Sequence, residues 1–124
     1  MKVKNIILEI KPLKDTFKGA MNVMDKIEKG EKVIKKDIIS FEDVEVMRKI
    51  LTPRRIELLK IIKHKHPKSI YELAKLLGRD PKSVNTDITI LHQLGMLDLE
   101  HITKGREIIK PIVDYDKINV AIAI

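Results

Sequence analysis

From Ser69 to Gly95 the apolar positions recur at helical spacing in two blocks separated by a short polar break. Ile70, Leu73, Ala74 and Leu77 share one face of the first block, and Val84, Ile88, Leu91 and Leu94 share one face of the second. Ser69, with Glu72 three residues on, has the form of a capping box that starts a helix. Gly78 can adopt the left-handed conformation that ends one. Asp80 is a good N-cap, and Pro81 stands where the first helical turn needs no amide donor. The pattern predicts two helices joined by a tight turn, the second ending at Gly95: a helix-turn-helix.

The flanking patterns complete a mixed architecture. Val3 to Ile10 is rich in β-branched residues and predicts a strand ended by Pro12. Leu13, Phe17, Ala20, Met21, Met24 and Ile27 predict an amphipathic helix from Pro12 to about Lys29, closed by Gly30, and the charged segment Glu31 to Lys36 reads as a connection or short strand. Ile38-Ile39-Ser40 leads into a helix with Ser40 as N-cap, on which Phe41, Val44, Met47, Ile50 and Leu51 can share a face. Acids at Glu42, Asp43 and Glu45 suit its positive end. Thr52-Pro53 opens a supporting helix from Arg54 to His66, with Ile56, Leu59 and Ile62 inward and Leu58 and Ile61 partly so. After Gly95, Met96 to Glu100 alternates as a half-buried strand, Thr103 to Arg106 forms a turn, and Glu107 to Tyr115 resumes as a strand that Pro111 confines to an edge or a bulge. Two strands joined by a basic turn after such a helix make a wing. The tail Ile118 to Ile124 is too apolar to lie alone in water, so it is expected to pair with the N-terminal strand of its own chain or of a partner chain.

The fold class is thus α+β: an N-terminal strand-helix extension over residues 1–40 serving dimerisation, a winged helix-turn-helix over 41–115, and a C-terminal strand over 116–124.

Charge changes this picture most. The chain of 124 residues has a formal charge of +7, and a pI near 9.6, which point to a polyanionic partner. Between Thr52 and Lys82 nine Lys and Arg face three acids, so that stretch alone carries +6. The bland alternative is a Lys-rich surface that only keeps the protein soluble. There is no cysteine, which excludes disulfides and thiolate metal sites. Abundant Ile, Lys and Glu would suit a thermophile's protein or a biased genome. No apolar run approaches the ~20 residues that span a bilayer, and the first residues lack a signal-peptide core, so the expectation is a cytoplasmic protein with no membrane partner.

Leu51-Thr52-Pro53-Arg54-Arg55-Ile56-Glu57-Leu58-Leu59, Ser69 to Ala74, Leu77-Gly78-Arg79-Asp80 and Leu91-His92-Gln93-Leu94-Gly95-Met96 together resemble archaeal and bacterial winged helix-turn-helix regulators of the MarR- and ArsR-like type. The resemblance is closer to predicted transcriptional regulators grouped as antitoxin-like DNA-binding proteins. It covers about Phe41 to Tyr115 and implies a homodimeric transcription factor that binds double-stranded DNA.

The residues themselves indicate which would touch DNA. With about 100° per residue, the apolar set of the second helix fixes its inward direction, and Lys82, Thr86, Thr89 and Gln93 fall opposite, flanked by Ser83, Asn85 and Ile90. Lys82, Ser83, Asn85, Thr86 and Thr89 are the candidate base readers. Asn can bond adenine bidentately, Thr can meet thymine methyl groups, and Lys82 can reach guanine or phosphate. Arg54, Arg55, Ser69, Tyr71, Lys75 and Arg79 are candidates for phosphate, and Lys104 and Arg106 for the minor groove or backbone at the wing tip. Arg79 has an alternative, an ion pair with Asp80 or Asp87 that locks the turn. Asp87, towards the inner edge of its helix, is a poor base reader.

Other chemistries find no support. His64 and His66 lie two apart at a helix end, where a favourable C-terminal charge is the better reading, and His92 and His101 are isolated. Met21 and Met24 are core fillers rather than a soft-metal site. No Ser-His-Asp set, phosphate loop or carboxylate pair is present, so neither enzyme activity nor a cofactor is expected. Two Phe and two Tyr are too few for the stacking platforms of single-strand or RNA binders. The competing class is a protein-interaction winged helix, such as an antitoxin-like or assembly subunit, in which the apolar tail and residues 12–29 bind another protein.

Overall fold

A computed structural model of the chain describes residues 4–11 and 38–124. The expected helix over 12–29 and the connection over 31–36 lie outside the described residues. Those described form a mixed α+β structure with four helices and two small sheets, divided into two compact units, Ile50–Asp114 and the remainder. Residues 41–49 therefore group with the first strand rather than with the helix pair.

In the first unit, strand β1 (Asn5–Ile10) is central and pairs in parallel with β2 (Ile38–Phe41) on one side and β5 (Lys117–Ile122) on the other. The C-terminal strand thus adds to the N-terminal strand of its own chain. The two are pinned at their start, where Lys4 N–H donates to Asp116 Oδ2 at 3.0 Å and Asp116 N–H to Lys4 O at 2.7 Å. Side chains alternate along a strand, so register places Ile6, Leu8 and Ile10 on one face with Ile39 and Phe41 of β2 and with Ile118, Val120 and Ile122 of β5. Ile6, Leu8, Ile10 and Phe41 are buried, whereas Val120 and Ile122 are about half exposed, at 47% and 53%.

One expectation is overturned here. Ile38 to Phe41 belongs to a strand, not to a helix entrance. Pairing with β1 satisfies its backbone and buries Phe41 beside Ile10, which outweighs the helical spacing of Phe41 with Val44. Helix α1 (Val44–Ile50) starts later, and Asp43, not Ser40, caps it by accepting from Val46 N–H at 2.9 Å. Its first turn leaves Val44 and Val46 exposed.

The second unit holds α2 (Pro53–Lys65), α3 (Ile70–Leu77), α4 (Pro81–Gln93) and the antiparallel hairpin β3 (Asp98–Thr103) and β4 (Glu107–Ile112). Thr52 Oγ1 accepts from Arg55 N–H at 3.3 Å, and Ser69 Oγ accepts from Glu72 N–H at 3.0 Å, each satisfying one orphan donor at a helix start. The capping box at Ser69 is only half made, because Glu72 Oε2 takes its long 3.4 Å contact from Lys68 N–H, one residue before the cap. Asp80 occupies the cap position of α4 but makes no side-chain capping bond. Leu58, Leu59, Ile62, Leu73, Ala74, Val84, Ile88, Leu91, Met96 and Leu97 form the core, each large side chain contributing about 1.5–3 kcal/mol by leaving water.

The turn between α3 and α4 depends on Gly78, which caps α3 at φ +65° and donates its N–H to Lys75 O. A Cβ there meets nothing within 4 Å, so only backbone strain opposes a side chain. Gly78→Ala is expected to lower stability by about 1–2 kcal/mol, the left-handed penalty, with Gly78→Asn milder, both read from the urea midpoint.

In the hairpin, Gly105 takes φ +77° at the tip and Lys104 N–H donates to Arg106 O at 3.2 Å. β3 begins and ends later than alternation suggested, with Met96 and Leu97 both buried before it starts, and β4 begins at Glu107 as expected but ends earlier, at Ile112. Pro111 sits opposite Leu99 in unbroken register, so the edge position, not a bulge, accommodates it.

Candidate nucleic-acid interface

The exposed side of α4 is a polar stripe. Lys82, Asn85, Thr86 and Thr89 recur at the i, i+3, i+4, i+7 spacing of one helix face, and all are exposed, as is Ser83 beside them. Val84, Ile88 and Leu91 hold the opposite side in the core at no more than 1% exposure, so the helix cannot rotate without exposing them. Asn85 makes no side-chain hydrogen bond with the described residues. Thr86 Oγ1 donates to Lys82 O at 3.0 Å and Thr89 Oγ1 to Asn85 O at 2.8 Å.

An open groove of about 830 Å³ runs beside this stripe. Its lining comes from the start of α3, the start of α4 and the start of β4, and brings together Ser69, Tyr71, Lys82, Asn85 and Arg106 with the apolar Ile70, Ile108 and Ile109. Five candidate residues from three separate elements, up to 37 positions apart in the chain, thus share one concavity. Both helix starts add partial positive charge. Lys82 and Arg106 outweigh Glu107 on the lining. Tyr71 is 61% exposed, and Lys75 Nζ lies 4.8 Å from its ring centroid, a cation–π contact that holds the ammonium against the outer face of α3. Lys104 and Arg106 are exposed at the hairpin tip, and Arg54 is exposed on the first turn of α2.

Two candidates are engaged elsewhere. Arg55 Nε bonds Asp87 Oδ1 at 3.0 Å, Arg79 Nη2 bonds Asp87 Oδ2 at 2.8 Å, and Arg55 Nη1 reaches Ile50 O at 2.8 Å. The three side chains are only 11–20% exposed. One carboxylate therefore ties α4 to α2 and to the turn. Arg55 and Arg79, expected at phosphate, are both engaged with this carboxylate in the structure, and of the two acids open to Arg79 it pairs with Asp87. The signal that places Arg55 was present in the spacing. It precedes Leu58, Leu59 and Ile62 by three, four and seven residues, on the buried face, whereas Arg54 falls one step outside it. Arg79 Nη1 is buried without a hydrogen-bond partner among the described residues.

Among the described residues no group of three or more His, Asp or Glu could hold a metal ion, and no helix is long and apolar enough to cross a membrane. His101 Nδ1 meets Glu107 Oε1 at 2.8 Å across the hairpin, both exposed.

The chain is thus an α+β protein whose larger unit presents a polar helix stripe, a basic groove and a basic hairpin tip. It belongs to the HVO_A0114 family, whose model matches residues 50–120, more than half of its length. No curated protein and no solved structure matches it.

Proposed function

We propose that the unit Ile50–Asp114 is a winged helix-turn-helix that binds double-stranded DNA sequence-specifically, as part of a transcriptional regulator. The recognition helix is α4, over 81–94, and the wing is the hairpin with its tip at 103–106. The observation that carries this reading is the groove, where α3, α4 and β4 bring Ser69, Tyr71, Lys82, Asn85 and Arg106 together beside an exposed polar helix face. Lys82, Ser83, Asn85, Thr86 and Thr89 read bases in the major groove. Arg54, Ser69, Tyr71, Lys75, Lys104 and Arg106 hold phosphates or the minor groove. Ser69 remains able to donate its hydroxyl proton, since the capping bond uses its oxygen as acceptor.

The regulator acts as a cytoplasmic homodimer on this reading. Selection of bound genomic fragments at two salt concentrations tests both parts. Two half-sites about one helical turn apart are the expected result, and failure to retain duplex at low salt would overturn the reading. Arg54→Ala is expected to weaken all sequences alike and to reduce the slope of log K against log salt by about 0.9, the value for one phosphate contact.

A protein-interaction role is the second reading, favoured by the exposed Val120 and Ile122 on β5. A stoichiometric partner in a pull-down, without salt-dependent duplex binding, would select it.

A further inference from the structure

We infer that Thr86 and Thr89 read thymine through their methyl groups and not through their hydroxyls, so that the target is marked by 5-methyl groups beneath the middle of α4. This rests on the DNA-binding reading above and deepens it.

The basis is where the two hydroxyl protons go. Each threonine donates to the carbonyl four residues before it, Thr86 to Lys82 O at 3.0 Å and Thr89 to Asn85 O at 2.8 Å. A hydroxyl has one proton to donate. With that proton on the backbone, neither side chain has a donor for thymine O4, guanine O6 or guanine N7, which are acceptors. Its oxygen can still accept, from adenine N6–H or cytosine N4–H, but thymine presents no major-groove donor, so a thymine contact by either exposed side chain falls to the γ-methyl. The backbone bond also restricts the χ1 choices of a threonine in a helix, so the methyl is held in place before any ligand arrives.

The geometry suits a short run of bases. Thr86 and Thr89 are three residues apart, about 4.5 Å along the helix axis at 1.5 Å per residue. Successive base pairs rise about 3.4 Å, so the two methyls fit thymines one or two steps apart. Asn85, immediately before Thr86 in sequence and without a side-chain hydrogen bond to the described residues, has the free amide that adenine recognition needs. The three side chains together describe an A·T-rich half-site core.

The test separates the two groups of each threonine. Thr86→Val and Thr89→Val keep a methyl and delete the hydroxyl, whereas Thr86→Ser and Thr89→Ser do the reverse. Affinities are measured on the fragment selected by the full chain, with thymine or with deoxyuridine, which lacks the 5-methyl, at each contacted step. Deoxyuridine is expected to weaken the natural protein about fourfold per contacted thymine, as burial of one methyl-sized group implies. The Val variants should keep the natural protein's roughly fourfold preference for thymine over deoxyuridine, and the Ser variants should bind the thymine site about fourfold more weakly. On deoxyuridine the Ser variants should lose nothing further, because the two halves of one contact do not add. Loss with Val and retention with Ser would overturn the inference, as would additive losses for Ser and deoxyuridine. In either case selective duplex binding by the unchanged chain would leave the DNA-binding reading standing. Failure of every variant and of the natural chain to select any duplex would instead reject that reading and this inference with it.

Discussion

Asp87→Ala is expected to cost the unit Ile50–Asp114 about 3 kcal/mol of unfolding free energy, the low end for removing one partner of a buried ion pair. The substitution leaves two guanidinium groups facing each other with no carboxylate between them, at side-chain exposures of 16% and 20%. Like charge, lost hydrogen bonds and lost ties from α4 to α2 and to the turn act in the same direction. Asp87→Asn should fall only partly short of this, because an amide can accept from one arginine but turns its own N–H groups toward the other. The two arginines are not equivalent. Arg55→Leu should cost more than Arg79→Leu, since Arg55 also holds Ile50 O, whereas removing Arg79 relieves a buried Nη1 that has no partner among the described residues. Urea unfolding followed by far-ultraviolet circular dichroism measures all four variants. A loss below 1 kcal/mol for Asp87→Ala would show that solvent, not the ion pairs, holds the three side chains. Replacement of all three by apolar residues should restore part of the loss, because the desolvation cost of the charges disappears with them.

The second large effect is on binding. Asn85→Ala should weaken the selected site about 10- to 100-fold while leaving random duplex within about twofold, as loss of a bidentate base contact implies. The side chain is exposed, lies on the groove and is not needed to hold α4 in place, so stability should stay within about 0.5 kcal/mol. Competition between the selected site and random duplex at fixed salt reads the two affinities together. Equal loss on both would remove Asn85 from the base readers and move it to the backbone contacts.

Both predictions depend on residues whose legibility differed. Helices α2 to α4, the caps at Thr52, Ser69 and Gly78, and the hairpin followed from local spacing: Leu73 with Ala74, Val84 with Ile88 and Leu91, Thr52 before Pro53, Gly78 in the turn. These are contacts within one or two helical turns, and period and capping chemistry determine them without knowledge of the rest of the chain. Where local signals competed, spacing alone misled. Phe41 has helical spacing to Val44 but lies in β2, because a strand already present at Ile7–Ile10 offers it backbone partners and a buried face. Glu72 is in register for a full capping box, yet its carboxylate reaches Lys68 N–H.

Asp87 shows the same division within a functional element. Its helix position marks it as inward-facing, and that much is periodicity. Its partners are a residue 32 positions earlier and a residue eight positions earlier, and three separate elements must pack before the carboxylate meets either guanidinium. By sequence alone, spacing puts Arg55 on the buried face and Arg54 one step outside it, but supplies no partner for either. Packing makes one a structural tie and leaves the other at the surface.

The sequence by itself determined the order of α2, α3 and α4, the inward face of each, the basic stretch from Thr52 to Lys82 and the polar stripe on α4. All follow from chemistry repeated at the period of the local backbone. Only the tertiary structure decided that β5 adds in parallel to β1 over 112 residues of separation, that Arg55 and Arg79 converge on Asp87, and that Ser69, Tyr71, Lys82, Asn85 and Arg106 share one groove. Such juxtapositions depend on which buried faces pack against one another, and the balance among competing packings is settled by the whole chain rather than by any window of it.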